Sequence, residues 1–144
     1  MMKFSNSGNK LSLENITEFE SKHNIKLPEL YIRFLLEQNG GYPERSTFRI
    51  SSSQGNTVLN VFFGIGDIYD NLDDYLDIYE DRMPSSFIPI ADDPGGNVIC
   101  LGIGGDYCEN IFFWDHEQEN DDADMSNMYF LARNIYEFIE ALHD

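Results

Sequence analysis

Between Thr47 and Trp114 the chain holds five short segments rich in β-branched or aromatic residues: Thr47 to Ile50, Val58 to Phe63, Phe87 to Ile90, Asn97 to Ile103 and Asn110 to Trp114. Segments of this length and make-up read as strands. Asp93-Pro94-Gly95-Gly96 has Pro and Gly where a type II turn wants them, and Gly104-Gly105-Asp106-Tyr107 joins the last two segments as a hairpin. Connections of this kind make an antiparallel meander and not a set of βαβ units.

Helical patterns flank the strands. Ser12 is placed to cap a first helix, with Leu13, Ile16, Phe19 and Glu20 following at helical spacing until His23 and Asn24. Pro28, whose fixed φ suits a first turn, opens a second helix with Tyr31, Phe34 and Leu35 on its core face. Asn39-Gly40-Gly41 stops it with residues that tolerate positive φ. Met128 to Ala132 is a further short strand, and Asn134 caps a last helix with Glu137 three residues on and Ile135, Phe138, Ile139 and Leu142 as its stripe. The expected fold is therefore α+β, an antiparallel sheet of about five to six strands flanked by helices. At 144 residues, with 42% hydrophobic and 14% aromatic content, the chain can bury a core as one domain spanning residues 1–144.

The segment Asp67 to Met83 has the sharpest amphipathic pattern. Ile68, Leu72, Tyr75, Leu76, Tyr79 and Met83 project to one side of a helical wheel, and Asp67, Asp70, Asp73, Asp74, Asp77, Glu80 and Asp81 to the other. A continuous helix over 67–81 would carry seven like-charge pairs at i,i+3 or i,i+4, at a cost of about 2 kcal/mol before salt screening. Such a face is either a solvated surface that serves solubility or a docking surface for a basic partner.

Charge is unevenly distributed along the chain. Residues 50–144 carry 20 Asp and Glu against two bases, Arg82 and Arg133, whereas residues 1–49 have six acids and seven bases. A formal net charge of -17 repels nucleic acid and anionic membrane and attracts cationic proteins. No apolar run is long enough to cross a bilayer, and Met1 to Lys10 lacks the apolar region of a secretory signal, so a cytoplasmic location is expected. In that compartment Cys100 and Cys108 are expected as reduced thiols, although a hairpin could bring them face to face.

Chemistry-bearing motifs are lacking. The second acidic run, Asp115 to Asp124, reads as a mobile acidic loop, since it lacks the register, turn glycine and terminal Glu of a calcium loop. Gly64-Ile65-Gly66 and Gly102-Ile103-Gly104-Gly105 do not continue into a phosphate-binding fingerprint. His23, His116 and His143 are scattered, and no set of nucleophile, base and orienter is favoured by spacing. The expectation is a non-enzymatic protein with no metal and no cofactor. An enzyme such as a carboxylate-dependent hydrolase is the competing class, and a metal requirement for activity would mark it.

Three blocks carry a family resemblance. They are Leu27-Pro28-Glu29-Leu30-Tyr31-Ile32-Arg33-Phe34-Leu35-Leu36 with Asn39-Gly40-Gly41, then Ile88 to Leu101 around Asp92-Asp93-Pro94-Gly95-Gly96-Asn97, then Ile111-Phe112-Phe113-Trp114-Asp115-His116-Glu117. In order and spacing they resemble the SMI1/KNR4 family of the SUKH superfamily, over roughly residues 13 to 142. The resemblance implies an α+β fold in which Pro28, Gly40, Gly41, Gly95, Gly96 and Trp114 are structural. It also implies a bacterial immunity protein that binds and neutralises a cognate toxin, often a nuclease. The larger fungal members, regulatory interaction proteins, give the alternative of a scaffold or regulatory module binding a basic host protein. Contact residues are not carried over by the motifs. The charge pattern instead nominates Asp70, Asp73, Asp74, Asp77 and Asp81 as one partner-binding surface, with Asp92 and Asp93 as a second, for a basic toxin domain and not for nucleic acid or membrane directly.

Overall fold

The computed structural model describes residues 2–144. In chain order its first elements are β1 (Phe4–Ser5), α1 (Leu13–His23), α2 (Glu29–Glu37), β2 (Tyr42–Pro43), β3 (Thr47–Ser51), β4 (Gly55–Val58) and β5 (Val61–Phe62). Then come α3 (Leu72–Tyr79), β6 (Phe87–Asp92), β7 (Val98–Gly102), β8 (Ile111–Trp114), β9 (Met128–Ala132) and α4 (Ile135–Ala141). The principal sheet is antiparallel throughout, in the order β5-β6-β7-β8-β9. Two small antiparallel pairs, β1-β2 and β3-β4, stand beside it. The α+β architecture is as the sequence predicts.

Both faces of the sheet are covered, which explains why Val98–Gly102 and Ile111–Trp114 are buried at every position. On one face Ile88, Ile90, Ile99, Leu101, Ile111 and Phe113 share a core with Ile16 and Phe19 of α1, Tyr31, Phe34 and Leu35 of α2, and Ile135, Phe138 and Ile139 of α4. On the other, Phe87, Val98, Cys100, Phe112 and the fully buried Trp114 cluster with Met83, flanked by Tyr79, Met125 and Met128. Pro89 lies inside β6 opposite Cys100, next to a bulge between Pro89 and Ala91, a position where a strand tolerates a missing N–H.

The cap signals of α1 and α4 act as read, whereas Pro28 stands just outside its helix and not in the first turn. Ser12 and Asn15 form a reciprocal capping box, Asn24 closes α1 in the left-handed conformation, and Asn134 accepts from the Glu137 amide at α4. Pro28 is the N-cap of α2 and offers no capping side chain. Glu109, far along the chain, supplies one instead: its Oε2 accepts from the Leu30 amide at 3.0 Å. Gly40 and Gly41 both have positive φ, and a Cβ on Gly40 would lie 2.8 Å from the Phe62 carbonyl oxygen. Their partner Asn39 is a buried junction: its Nδ2 donates to the carbonyls of Asn9 and Ile65, and its Oδ1 accepts from the Ile65 amide, each at 2.8 Å.

Several expectations change. Val58 to Phe63 is not one strand, since Val58 ends β4 and the chain crosses at Leu59-Asn60 into β5 of the principal sheet. The turn at Asp93 to Gly96 is not type II: Gly95 lacks the positive φ that turn needs, and Gly96 takes it at 90°. The Asp93 Oδ1 accepts from the amides of Gly95 and Asn97 at 2.9 and 2.8 Å, and this side-chain turn moves the left-handed residue one place on. Cys100 is buried and Cys108 exposed, both as free thiols. The run 115–124 is folded around turns at His116–Gln118 and Met125–Asn127, capped by Asp115 and Asp124.

Candidate functional site

Helix α3 is shorter than its amphipathic pattern. Asn71 accepts from the Asp74 amide and starts the helix at Leu72, and Glu80 ends it. Asp67 and Asp70 therefore precede the helix, and Asp81 follows it with φ +65°. Much of the like-charge repulsion expected of a continuous 67–81 helix is relieved in this way, because only Asp73, Asp74 and Asp77 remain within it.

The nominated carboxylates separate into two groups. Asp73 lies against α1, where Lys22 Nζ is 3.3 Å away and His23 Nε2 hydrogen-bonds it. Partial burial pushes its carboxyl up, but the hydrogen bonds and charges of His23 and Lys22 outweigh this and hold it below the usual carboxylate range. Asp70 accepts from the Tyr75 hydroxyl at 3.0 Å. Asp93 is buried, its Oδ2 accepting from Asn97 Nδ2 at 3.0 Å and Thr57 Oγ1 at 3.4 Å, so this second-surface nominee faces inward. Asp92 is half-buried with Asn60 Nδ2 at 3.1 Å. Burial and the nearby Asp70 charge push it up to about 6, against the opposing hydrogen bonds from Asn60 and the Val61 backbone.

Asp74, Asp77, Glu80 and Asp81 are exposed. Asp74 accepts only from its own capping neighbour, Asn71 Nδ2 at 3.0 Å. Among the described residues, no cation pairs with any of these four carboxylates. Ile78 on α3, 53% exposed, adds apolar area beside them, and Tyr69, 94% exposed, stands just before the helix. Both bases of the acidic two thirds are already taken. Arg82 makes a bidentate pair with Glu119 at 3.1 and 3.0 Å and lies over the rings of Tyr79 and Trp114 at 4.7 and 5.4 Å, and Arg133 pairs with Glu137 at 2.8 Å. Lys22 and His23 compensate Asp73 alone, and the exposed carboxylates Asp74, Asp77, Glu80 and Asp81 keep their negative field.

Other chemistry is not assembled. Among the described residues, no group of three or more His, Cys, Asp or Glu side chains is disposed to hold a metal ion, and no helix is long and apolar enough to cross a membrane. Gly40, Gly41 and Gly96 stand in turns with positive φ, and Trp114 is fully buried against Tyr79 of α3. Asn39 was read only as part of a helix stop and Glu109 was not marked at all, since the partners that give them their roles lie 26 to 79 residues away in sequence.

Fold and surface define a small α+β domain whose exposed chemistry is suited to engaging another protein. The chain belongs to the SMI1 / KNR4 family (SUKH-1), a family of immunity-type domains, whose model matches residues 10–141. It is also similar to the SPbeta prophage-derived uncharacterized protein YokK of Bacillus subtilis (strain 168), at 30% identity over 91% of this chain and 74% of that protein.

Proposed function

We propose that this protein is a cytoplasmic immunity protein that binds and neutralises a cognate toxin, a basic nuclease domain of a polymorphic toxin system, by occupation and without catalysis. The observation that carries the reading is the row of exposed carboxylates without cation partners, Asp74, Asp77, Glu80 and Asp81, on a domain of an immunity-type family. A nuclease cleft holds phosphates with Lys and Arg, and carboxylates at similar positions compete for the same cations. Asp74, Asp77 and Asp81 form the exposed centre of the contact, Asp70, Asp73 and Asp92 add to its field from engaged positions, and Asp93 supports the adjoining turn. Ile78 and Tyr69 supply the apolar anchors that charge alone lacks. The test is co-expression with a toxin domain encoded beside this chain's gene. The expected result is survival restored by this chain and a complex recovered from purified components. Survival unchanged, with no complex, would overturn the proposal.

A further inference from the structure

Beneath the C-terminal end of α3 lies a groove of about 320 Å³. Its floor is apolar: Met83 and Phe87 are buried there, and Ile25 and Leu76 are partly buried against the core. Its exposed rim carries Asp77, Glu80 and Asp81, none of them paired with a cation, while His23, the one basic side chain lining the groove, is engaged by Asp73. Asp81 reaches this rim from a left-handed backbone conformation, φ +65°, which Asp tolerates better than most side chains.

The helix itself adds to the attraction. The C-terminus of a helix bears partial negative charge and favours a cation, yet the last turn of α3 has no basic residue. Its end also lacks the cap bond from the backbone N–H that closes α1, α2 and α4; the Arg82 amide reaches the Tyr79 carbonyl at 3.0 Å. An apolar floor with an anionic rim at a helix C-terminus matches a side chain with an aliphatic stem and a planar cationic head. Nearby, Arg82 shows the protein holding such a head, stacked over Tyr79 and clasped by Glu119. We propose that this groove is the specific docking point for an arginine side chain of a basic partner protein, its stem on Leu76, Met83 and Phe87 and its guanidinium between Asp77, Glu80 and Asp81.

The inference deepens the immunity reading by naming the partner's anchor, but it is tested without a toxin. Amide chemical shifts of the full chain are followed by NMR while N-acetyl-arginine amide is added at low ionic strength, with N-acetyl-norleucine amide as an uncharged control that keeps the aliphatic stem. The expected result is saturable shifts confined to Ile25 and the 76–89 segment, absent with the norleucine probe. Asp77→Asn/Asp81→Asn should weaken binding by about tenfold, while Asp121→Asn/Asp122→Asn leaves it unchanged. Equal response to both probes, equal loss in both variants, shifts spread over the 115–124 run, or no shift at the groove would each overturn the assignment. A saturable groove that no toxin engages would instead count against the immunity reading alone.

Discussion

At the residue level, Asp73 and Asp92 are displaced in opposite directions, so pH separates their contributions. Asp73, held below the usual range by His23 and Lys22, stabilises the fold above that range and loses its contribution as pH falls through its lowered pKa. Asp92 behaves the other way. With its carboxyl raised to about 6 in the folded chain, the folded state holds a proton that the unfolded state has released. Stability therefore falls as pH rises from the ordinary carboxylate range to about 6, and the deficit persists at neutral pH. Asp92→Asn should raise Tm at pH 7 and flatten its slope through that window, with a gain of about 1 kcal/mol once the remaining solvent access is discounted. Thermal melts of both proteins across that range check it, and a parallel slope would remove Asp92 as the cause. Residue identity made the turn at Asp93 to Gly96 legible but not its type, because the Asp93 side chain competes for the amides that backbone propensity alone would leave free.

At the element level, α3 shows what periodicity measures. Leu72 and Met83 are buried as the wheel predicts, and Tyr75, Leu76 and Tyr79 are partly so, yet the helix covers only Leu72–Tyr79. A helical phase in apolar residues reports which side chains face the core, and the chain keeps that phase after it leaves the helix at either end. The terminators were present in the sequence as Asn71 and the crowding of Asp and Glu, but a cap inside an unbroken stripe competes with the stripe itself. The two strands of β1-β2 were illegible for a different reason: two-residue strands paired across nearly forty residues leave no local pattern. Short range also explains what was legible, since the caps of α1 and α4 act within three residues. The same element yields a contrast in stability. Asp73→Asn should destabilise by about 1 kcal/mol by releasing Lys22 and His23, whereas Asp77→Asn/Asp81→Asn should leave stability unchanged or raise it by a few tenths. Denaturant unfolding of the two variants decides this. A large loss in the double variant would mean that those carboxylates have internal partners.

At the scale of the whole molecule, the net charge of -17 is arranged and not merely large. The balanced first third supplies α1 and α2, with Lys22 and His23 reaching across to Asp73, while the acidic remainder has its two arginines bound to Glu119 and Glu137. A molecule built this way repels phosphate and draws in whatever carries the complementary charge over a distance that salt shortens. Family membership supplies the class of role, and the acidic surface supports the basic partner proposed above. The central claim is that this surface recognises a basic partner. Its most direct test is the association rate with the toxin domain across a salt series, for the native chain and for Asp77→Asn/Asp81→Asn. The account predicts that the native rate falls by at least about tenfold from low to high salt, with a slower and flatter profile for the variant. A salt-independent rate shared by both proteins would contradict it and leave the acidic face a solubility device.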